Sequence, residues 1–128
     1  MGEPVLLIDD DDAVRAPFRR ALEQAGFVVE TAANGREGLA ATAEQGFKAI
    51  VCDLKMPSLS GLGVYAVLHE LFPAVAARII FVTAFRHDPH LQQFLVSTGR
   101  PVLDKPVEIA DLVRAVRKVV EQGPKQPA

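Results

Sequence analysis

The sequence has little of what marks secreted, membrane-spanning or disulfide-stabilised proteins. It contains one cysteine, Cys52, so an internal disulfide is excluded. No apolar run approaches the roughly 20 residues that a membrane-spanning helix needs, and the first residues lack the basic and then apolar segments of a signal peptide. Cys52 lies within an apolar run, which predicts a buried thiol in a reducing compartment. We therefore expect a cytoplasmic protein that does not enter a membrane.

Several binding functions are also disfavoured. A net charge of −2 gives no bulk attraction for nucleic acid or for an acidic membrane. The glycines do not form a Rossmann or P-loop fingerprint. The three histidines, His69, His87 and His90, have no metal-ligand spacing with one another or with Cys52, so we expect them to be surface polar residues. The phenylalanines Phe81, Phe85 and Phe94 are interpreted as packing residues and not as a ligand platform.

What the sequence does contain is a regular alternation of apolar strands and amphipathic helices. With 128 residues, of which 49% are hydrophobic and 23% charged, it predicts one globular domain over residues 1–122, followed by a tail or the start of a linker at 123–128. Five β–α repeats predict an α/β fold with a five-stranded parallel sheet covered by helices on both faces. The strands are expected at 4–8, 27–31, 49–52, 78–84 and 100–106, and the helices at about 12–25, 36–45, 62–72, 89–98 and 107–121.

Local signals refine this prediction. Asp11 or Asp12 is expected to cap the first helix, and Pro73 to end the third. We predict that the second helix faces the core through Leu39, Ala40 and Ala43, and the last helix through an apolar stripe that begins at Ile109.

Polar residues follow four of the predicted strands at their carboxyl ends. Asp9 and Asp10 follow the first, Asp53 the third, Thr83 the fourth and Lys105 the fifth. Because these ends share one edge of a parallel sheet, the side chains should converge. Three carboxylates in one place favour a hard cation such as Mg²⁺. A hydroxyl and an ammonium beside them suit phosphoryl oxygens, which makes Asp53 a candidate carboxylate nucleophile.

At these four places the sequence resembles the receiver domains of two-component response regulators. The resemblance covers about residues 4–121 and implies a flavodoxin-like doubly wound (βα)5 fold. The segments that match are Leu7-Ile8-Asp9-Asp10, the run from Asp53 to Pro57 with Gly61, Val82-Thr83-Ala84, and Asp104-Lys105-Pro106.

The resemblance implies a role for each of these residues. Asp9, Asp10, Asp53 and the main-chain carbonyl of Lys55 would hold Mg²⁺, and Asp53 would accept a phosphoryl group from a histidine kinase or phosphotransfer protein. Such a domain would not be an enzyme beyond catalysing its own phosphorylation and dephosphorylation. The residues implied to contact the phosphoryl group are Thr83, the main-chain N–H of Ala84, and Lys105, whose bond to Pro106 is usually cis in the family.

The resemblance also implies which residues set the rate of dephosphorylation and which surface contacts downstream proteins. Lys55 and Phe85 occupy the positions that flank the path of attacking water in receivers, so we expect slow dephosphorylation, with Phe85 the stronger restraint.

The family often has an aromatic switch residue at the place of Val102, which puts in question the usual rearrangement of the threonine and the aromatic residue on phosphorylation. The resemblance places downstream partners on the face of the fourth predicted helix, fifth strand and fifth helix, about residues 90–118. A weak homodimer through that face is left open.

Other functions remain to be separated from this one. A pseudo-receiver would keep the fold as an interaction module without phosphorylation. A haloacid-dehalogenase-type phosphatase would have a second acid where Lys55 stands, and an FMN protein would have a phosphate-binding loop where this sequence has four aspartates. The approach to the fifth strand, residues 98–106, resembles receivers attached to hybrid histidine kinases, so a stand-alone regulator and a module of a larger protein are both open.

Overall fold

A computed structural model describes residues 2–123. Its centre is a parallel sheet of five strands in the order β2-β1-β3-β4-β5, which confirms the predicted fold class. The strands are β1 (Pro4–Ile8), β2 (Val28–Ala32), β3 (Ala49–Asp53), β4 (Ile79–Thr83) and β5 (Val102–Asp104). The predicted tail lies outside the described residues apart from Gly123. In the described part, no helix combines the length and the apolarity needed to cross a bilayer.

Helices cover both faces of the sheet. They are α1 (Asp12–Gln24), α2 (Gly35–Glu44), α3 (Gly61–Leu71), α4 (Pro73–Ala76), α5 (Pro89–Thr98) and α6 (Ile109–Gln122). One buried cluster joins the sheet to α1 and α6, and a second joins it to α2, α3 and α5. Strands β3 and β4 are buried along their whole length because they are covered on both sides. Each fully buried Leu or Ile there contributes roughly 1.5–3 kcal/mol to folding.

The first helix begins as predicted. Asp11 is its N-cap, with the side-chain oxygen accepting a hydrogen bond from the Ala13 N–H at 2.9 Å. Pro17 lies inside α1 without ending it. The bond between Lys105 and Pro106 is cis, in agreement with the resemblance.

The prediction of a single helix that ends at Pro73 is incomplete. The helix ends at Leu71, and Phe72 leaves the helical region with φ −142° and ψ 72°. Pro73 then begins the extra one-turn helix α4, because a proline at the first helical position loses no intrahelical hydrogen bond. The described residues therefore contain six helices where five were predicted.

The predicted inward faces of α2 and α6 are partly wrong. Ala40 and Ala43 are exposed, and α2 packs on the sheet through Gly38 and Ala41. A Cβ on Gly38 would lie only 2.4 Å from the Ile8 Cδ1 atom, so the missing side chain sets how closely this helix approaches β1. Hydrophobicity alone could not reveal that contact. At the start of α6, Ile109 is 44% exposed, and the buried stripe begins at Leu112.

Candidate functional site

The residues predicted to meet do meet, at the carboxyl edge of the sheet. Asp9 directly follows β1, Asp53 and Thr83 are the last residues of β3 and β4, and Lys105 directly follows β5. In each of these four strands the apolar side chains pack in the core, and a polar residue stands at the carboxyl end or directly after it. The polar residues are therefore held by the most rigid part of the fold, although they lie far apart in the sequence.

Three carboxylates form a group at this edge. Side-chain oxygens of Asp9, Asp10 and Asp53 all lie within 4.8 Å of one another. Asp9 is 2% exposed and Asp53 6% exposed, whereas Asp10 faces solvent. The donors are all carboxylate oxygens and one side of the group is open to water, which fits the preference of Mg²⁺ for a few carboxylates together with retained waters. The group can therefore hold a metal ion.

Lys105 supplies the nearest positive charge. Its Nζ donates a hydrogen bond to Asp53 Oδ2 at 3.1 Å and lies 3.9 Å from Asp9 Oδ2. Its main-chain N–H donates to the Thr83 carbonyl at 2.9 Å, which ties the end of β5 to that of β4. The ammonium thus lies within 4 Å of two of the three carboxylates, Asp53 and Asp9, and the site keeps an excess of negative charge.

The two buried acids have raised pKa values, mainly because burial disfavours their charged forms. Burial raises the pKa of Asp9, as does the nearby Asp53 carboxylate. Burial likewise raises the pKa of Asp53, against the opposing effect of the Lys105 ammonium. Both acids therefore favour the neutral form more than a solvated aspartate does, and a bound cation would reverse that preference. Burial also raises the pKa of the Cys52 thiol, which agrees with its interpretation as a buried neutral group.

This electrostatic arrangement predicts a pH dependence of stability in the absence of metal. An acid whose pKa is higher in the folded state than in the unfolded state binds more protons when folded, so stability falls as pH rises from the ordinary value of 3.8 through the raised pKa. In Asp9→Asn, which keeps an oxygen for the Asp11 N–H, this contribution is absent. We expect Asp9→Asn to unfold at a higher temperature than the wild type at neutral pH, with the difference disappearing as pH falls below 3.8.

Thermal unfolding from acid to neutral pH, with chelator and then with excess Mg²⁺, measures this effect. Mg²⁺ should remove the advantage of the variant. An equal pH dependence in both proteins would show that Asp9 carries no unfavourable charge.

Thr83 is buried at the end of β4, beside the strand that ends at Asp53. It is 1% exposed, and its Oγ1 accepts a hydrogen bond from the Phe85 N–H at 2.9 Å. Because that bond uses an oxygen lone pair, the hydroxyl hydrogen remains able to donate. The roles predicted for the main-chain groups of Ala84 and Lys55 stay predictions.

Lys55 and Phe85 meet beside the site. The Lys55 ammonium lies 3.7 Å from the centroid of the Phe85 ring, in a cation–π contact. Phe85 is 43% exposed, so its interpretation as a packing residue is wrong. Phe81 and Phe94 do pack, both against Tyr65, and the three histidines are exposed as expected. The sequence could not show on which side of the loop Lys55 would lie.

The sequence predicted no role for Arg86. Arg86, in the loop after β4, donates to the Val102 carbonyl and forms an ion pair with Asp104. Its charge opposite Asp104 was visible in the sequence, but nothing in the sequence indicated that the two would be neighbours.

Comparison with known proteins identifies the family. The family described as "Response regulator receiver domain" matches residues 5–117. This chain belongs to that family. The receiver domain is 32% identical to the transcriptional regulatory protein AfsQ1 of Streptomyces coelicolor, over 95% of this chain and 53% of that protein. It is 31% identical to the sensor kinase CckA of Brucella abortus, over 92% of this chain but only 12% of the kinase.

Solved structures give the same result. A CheY-like receiver domain from Methanospirillum hungatei superimposes with a TM-score of 0.85 at 28% identity, covering 95% of this chain and 96% of the other. The chemotaxis protein CheY4 of Vibrio cholerae gives a TM-score of 0.82 at 28% identity, covering 93% and 99%. The receiver domain thus corresponds to nearly the whole of some relatives and to a small part of others.

Proposed function

We propose that this receiver domain accepts a phosphoryl group on Asp53 in a Mg²⁺-dependent reaction with a histidine kinase or phosphotransfer protein. The observation that supports this most is the position of the Asp53 carboxylate. It is nearly buried at the end of β3, lies 3.1 Å from the Lys105 ammonium, and has the oxygens of Asp9 and Asp10 within 4.8 Å. A carboxylate that only ended a strand would be exposed to solvent, without a buried acid and an ammonium beside it.

The transfer can be written with the residues present. An Asp53 carboxylate oxygen attacks the phosphorus of a phosphohistidine, the new O–P bond forms, and the P–N bond breaks. The released imidazole keeps the bonding electron pair and takes up a proton. Asp9, Asp10 and Asp53 would hold Mg²⁺, with the main-chain carbonyl of Lys55 as a further ligand, and the ion would neutralise the phosphoryl oxygens.

Three other groups would bind the phosphoryl oxygens. The Lys105 ammonium, now paired with Asp53, would bind one of them, and a charge-assisted hydrogen bond of this kind is stronger than a neutral one. The free O–H of Thr83 and the main-chain N–H of Ala84 would bind others. The main-chain N–H of Lys105 donates a hydrogen bond to the Thr83 carbonyl at 2.9 Å, which holds the two residues side by side.

The same geometry supports a signalling function in place of turnover of a substrate. We infer that the receiver domain catalyses only its own phosphorylation and dephosphorylation, and that phosphorylation alters contacts on the face of α5, β5 and α6. Its relatives include a regulator of transcription and a sensor kinase, so either a separate regulator or a kinase-attached module fits. The unpaired, buried Cys52 thiol suits the cytoplasm, where such donors act.

Lys55 and Phe85 lead to a prediction about how long the phosphoryl group persists. Hydrolysis needs water in line with the O–P bond. The Lys55 ammonium lies over the Phe85 ring, and in our proposal this pair would cover one side of that approach. We expect Phe85→Ala to lose its phosphoryl group several-fold faster than the wild type. In Lys55→Asn, where the ring remains, the increase should be smaller. Decay of phosphorylated protein at fixed Mg²⁺ measures both rates, and a Phe85→Ala decay no faster than wild type would contradict this role.

Mass spectrometry of the intact protein tests the proposed function. Incubation with acetyl phosphate and Mg²⁺ should add one phosphoryl group to the wild type and none to Asp53→Asn. The pseudo-receiver alternative predicts no addition to either protein. A haloacid-dehalogenase-type phosphatase would instead hydrolyse many equivalents of donor without accumulating the phosphorylated protein.

A further inference from the structure

Arg86 joins the loop after β4 to the edge strand β5. Its Nη2 donates a hydrogen bond to the Val102 main-chain oxygen, and its Nε lies 3.3 Å from Asp104 Oδ1. Arg86 follows Thr83 by three residues, and Asp104 directly precedes Lys105. One side chain therefore links the two segments that carry the phosphoryl-contacting residues.

The carbonyl that Arg86 binds is on the open edge of the sheet. The Phe81 N–H donates to the Pro101 carbonyl, and the Lys105 N–H donates to the Thr83 carbonyl. In a parallel ladder, the carbonyl of Val102 between these positions points away from β4. Because β5 is the last strand of the sheet, the guanidinium fills a place that a further strand would otherwise take.

Arginine suits this position because its guanidinium has several donors in a fixed planar arrangement. It can hold a main-chain oxygen and a carboxylate at the same time, which a lysine ammonium does less well. Among the described hydrogen bonds and ion pairs, those between residues 84–88 and β5 are the two that Arg86 makes. A cleft of about 390 Å³ lies beside Val102 and is lined in part by Arg86, Leu95 and Arg100, so the valine does not fill the space between loop and strand.

We propose that Arg86 is a positioning residue that couples the loop after β4 to the open edge of β5, so that a displacement of the Thr83 hydroxyl reaches Val102. Thr83 Oγ1 is bonded to the Phe85 N–H, and Arg86 is the next residue. A movement of the hydroxyl therefore moves the backbone that carries the guanidinium. The event that would displace Thr83 in the cell depends on the proposed function, because a phosphoryl group on Asp53 would attract the Thr83 hydroxyl.

The coupling itself can be tested without phosphorylation. Thr83→Ala removes the bond to the Phe85 N–H and so perturbs the loop directly. We expect this substitution to shift the backbone amide NMR resonance of Val102 in the wild-type background; Asp104 is not used as a reporter, because it is the direct ladder partner of Thr83. In an Arg86→Ala background, the same substitution should produce less than half of that shift. Asp104→Asn, which weakens the link from the other side, should also reduce it.

A matched control separates coupling from a general loss of charge or stability. Arg114 forms an exposed ion pair with Asp111 at 2.8 Å on α6, and none of the described hydrogen bonds or ion pairs joins it to the loop after β4. In an Arg114→Ala background, Thr83→Ala should shift Val102 as much as in the wild type. Equal shifts in the Arg86→Ala and wild-type backgrounds would overturn the proposal.

Beryllofluoride with Mg²⁺ then tests the trigger. A bound ¹⁹F resonance reports occupancy of Asp53, and the amide shift at Val102 reports the response of β5. Arg86→Ala should bind beryllofluoride like the wild type but show less than half of the β5 response. Absence of bound fluoride in the wild type would contradict the proposed function, whereas a full β5 response in Arg86→Ala would contradict the role of Arg86.

Discussion

Replacing either Asp10 or Asp53 with alanine is expected to weaken Mg²⁺ binding at least about tenfold. The two carboxylates belong to one group with Asp9, and the removal of either takes a negative charge from within 4.8 Å of the others. Unit charges about 4 Å apart interact by about 4 kcal/mol at an effective dielectric constant of 20, and about 1.4 kcal/mol already corresponds to a tenfold change in affinity. Isothermal titration calorimetry with Mg²⁺ measures the change.

Asp12→Ala is the matched control for this comparison. Asp12 lies in the same acidic run and loses the same charge, but it is exposed and bonded to Arg15 instead of belonging to the group. Its effect on Mg²⁺ affinity should be small, because exposed charges are screened. If Asp10→Ala and Asp53→Ala both retain wild-type affinity, the group is not the metal site.

Lys105→Ala is expected to keep the fold while abolishing most of the response to a phosphoryl group. The ammonium is the positive charge that Asp53 contacts at 3.1 Å, and it is half-buried beside β4 and β5. Without it, a phosphoryl group on Asp53 would lose the ammonium that pairs with that carboxylate and connects it to the end of β5. The hydrogen bond between the main chains of Lys105 and Thr83 does not need the side chain, so the sheet should stay intact.

Amide NMR shifts on addition of beryllofluoride and Mg²⁺ decide this prediction. In Lys105→Ala, the changes in α5 and β5 should be largely lost, whereas Lys118→Ala, an exposed lysine on α6, should respond like the wild type. A wild-type response in Lys105→Ala would contradict the role of Lys105 in transmitting the phosphoryl signal to α5 and β5.

The main features of the site could be predicted because they follow from strand ends. Apolar runs in front of Asp9, Asp53 and Thr83 define buried parallel strands, and parallel strands bring their carboxyl ends to one edge. Lys105 follows a shorter strand between Pro101 and Pro106, and it too arrives at that edge. For these residues, chain order and hydrophobic pattern determine position almost without side-chain detail.

Other features depend on contacts that no pattern encodes. Gly38 faces the sheet because the absence of a side chain permits close approach, although Ala40 and Ala43 are more hydrophobic. Lys55 lies over the Phe85 ring because the loop after β3 and the loop after β4 are neighbours in the fold. Arg86 and Asp104 become neighbours only when β5 lies beside β4, so their link could not be inferred before the structure.

Chemical mapping of the phosphorylated residue tests the central proposal most directly. After incubation with acetyl phosphate and Mg²⁺, reduction with borohydride converts an aspartyl phosphate to homoserine, which peptide mass spectrometry can locate. Homoserine should appear at position 53 only, and it should be absent without Mg²⁺ and in Asp53→Asn. Homoserine at Asp9, Asp10 or another acid, or at no position in protein shown to be folded, would contradict the assignment of Asp53 as the phosphoryl acceptor.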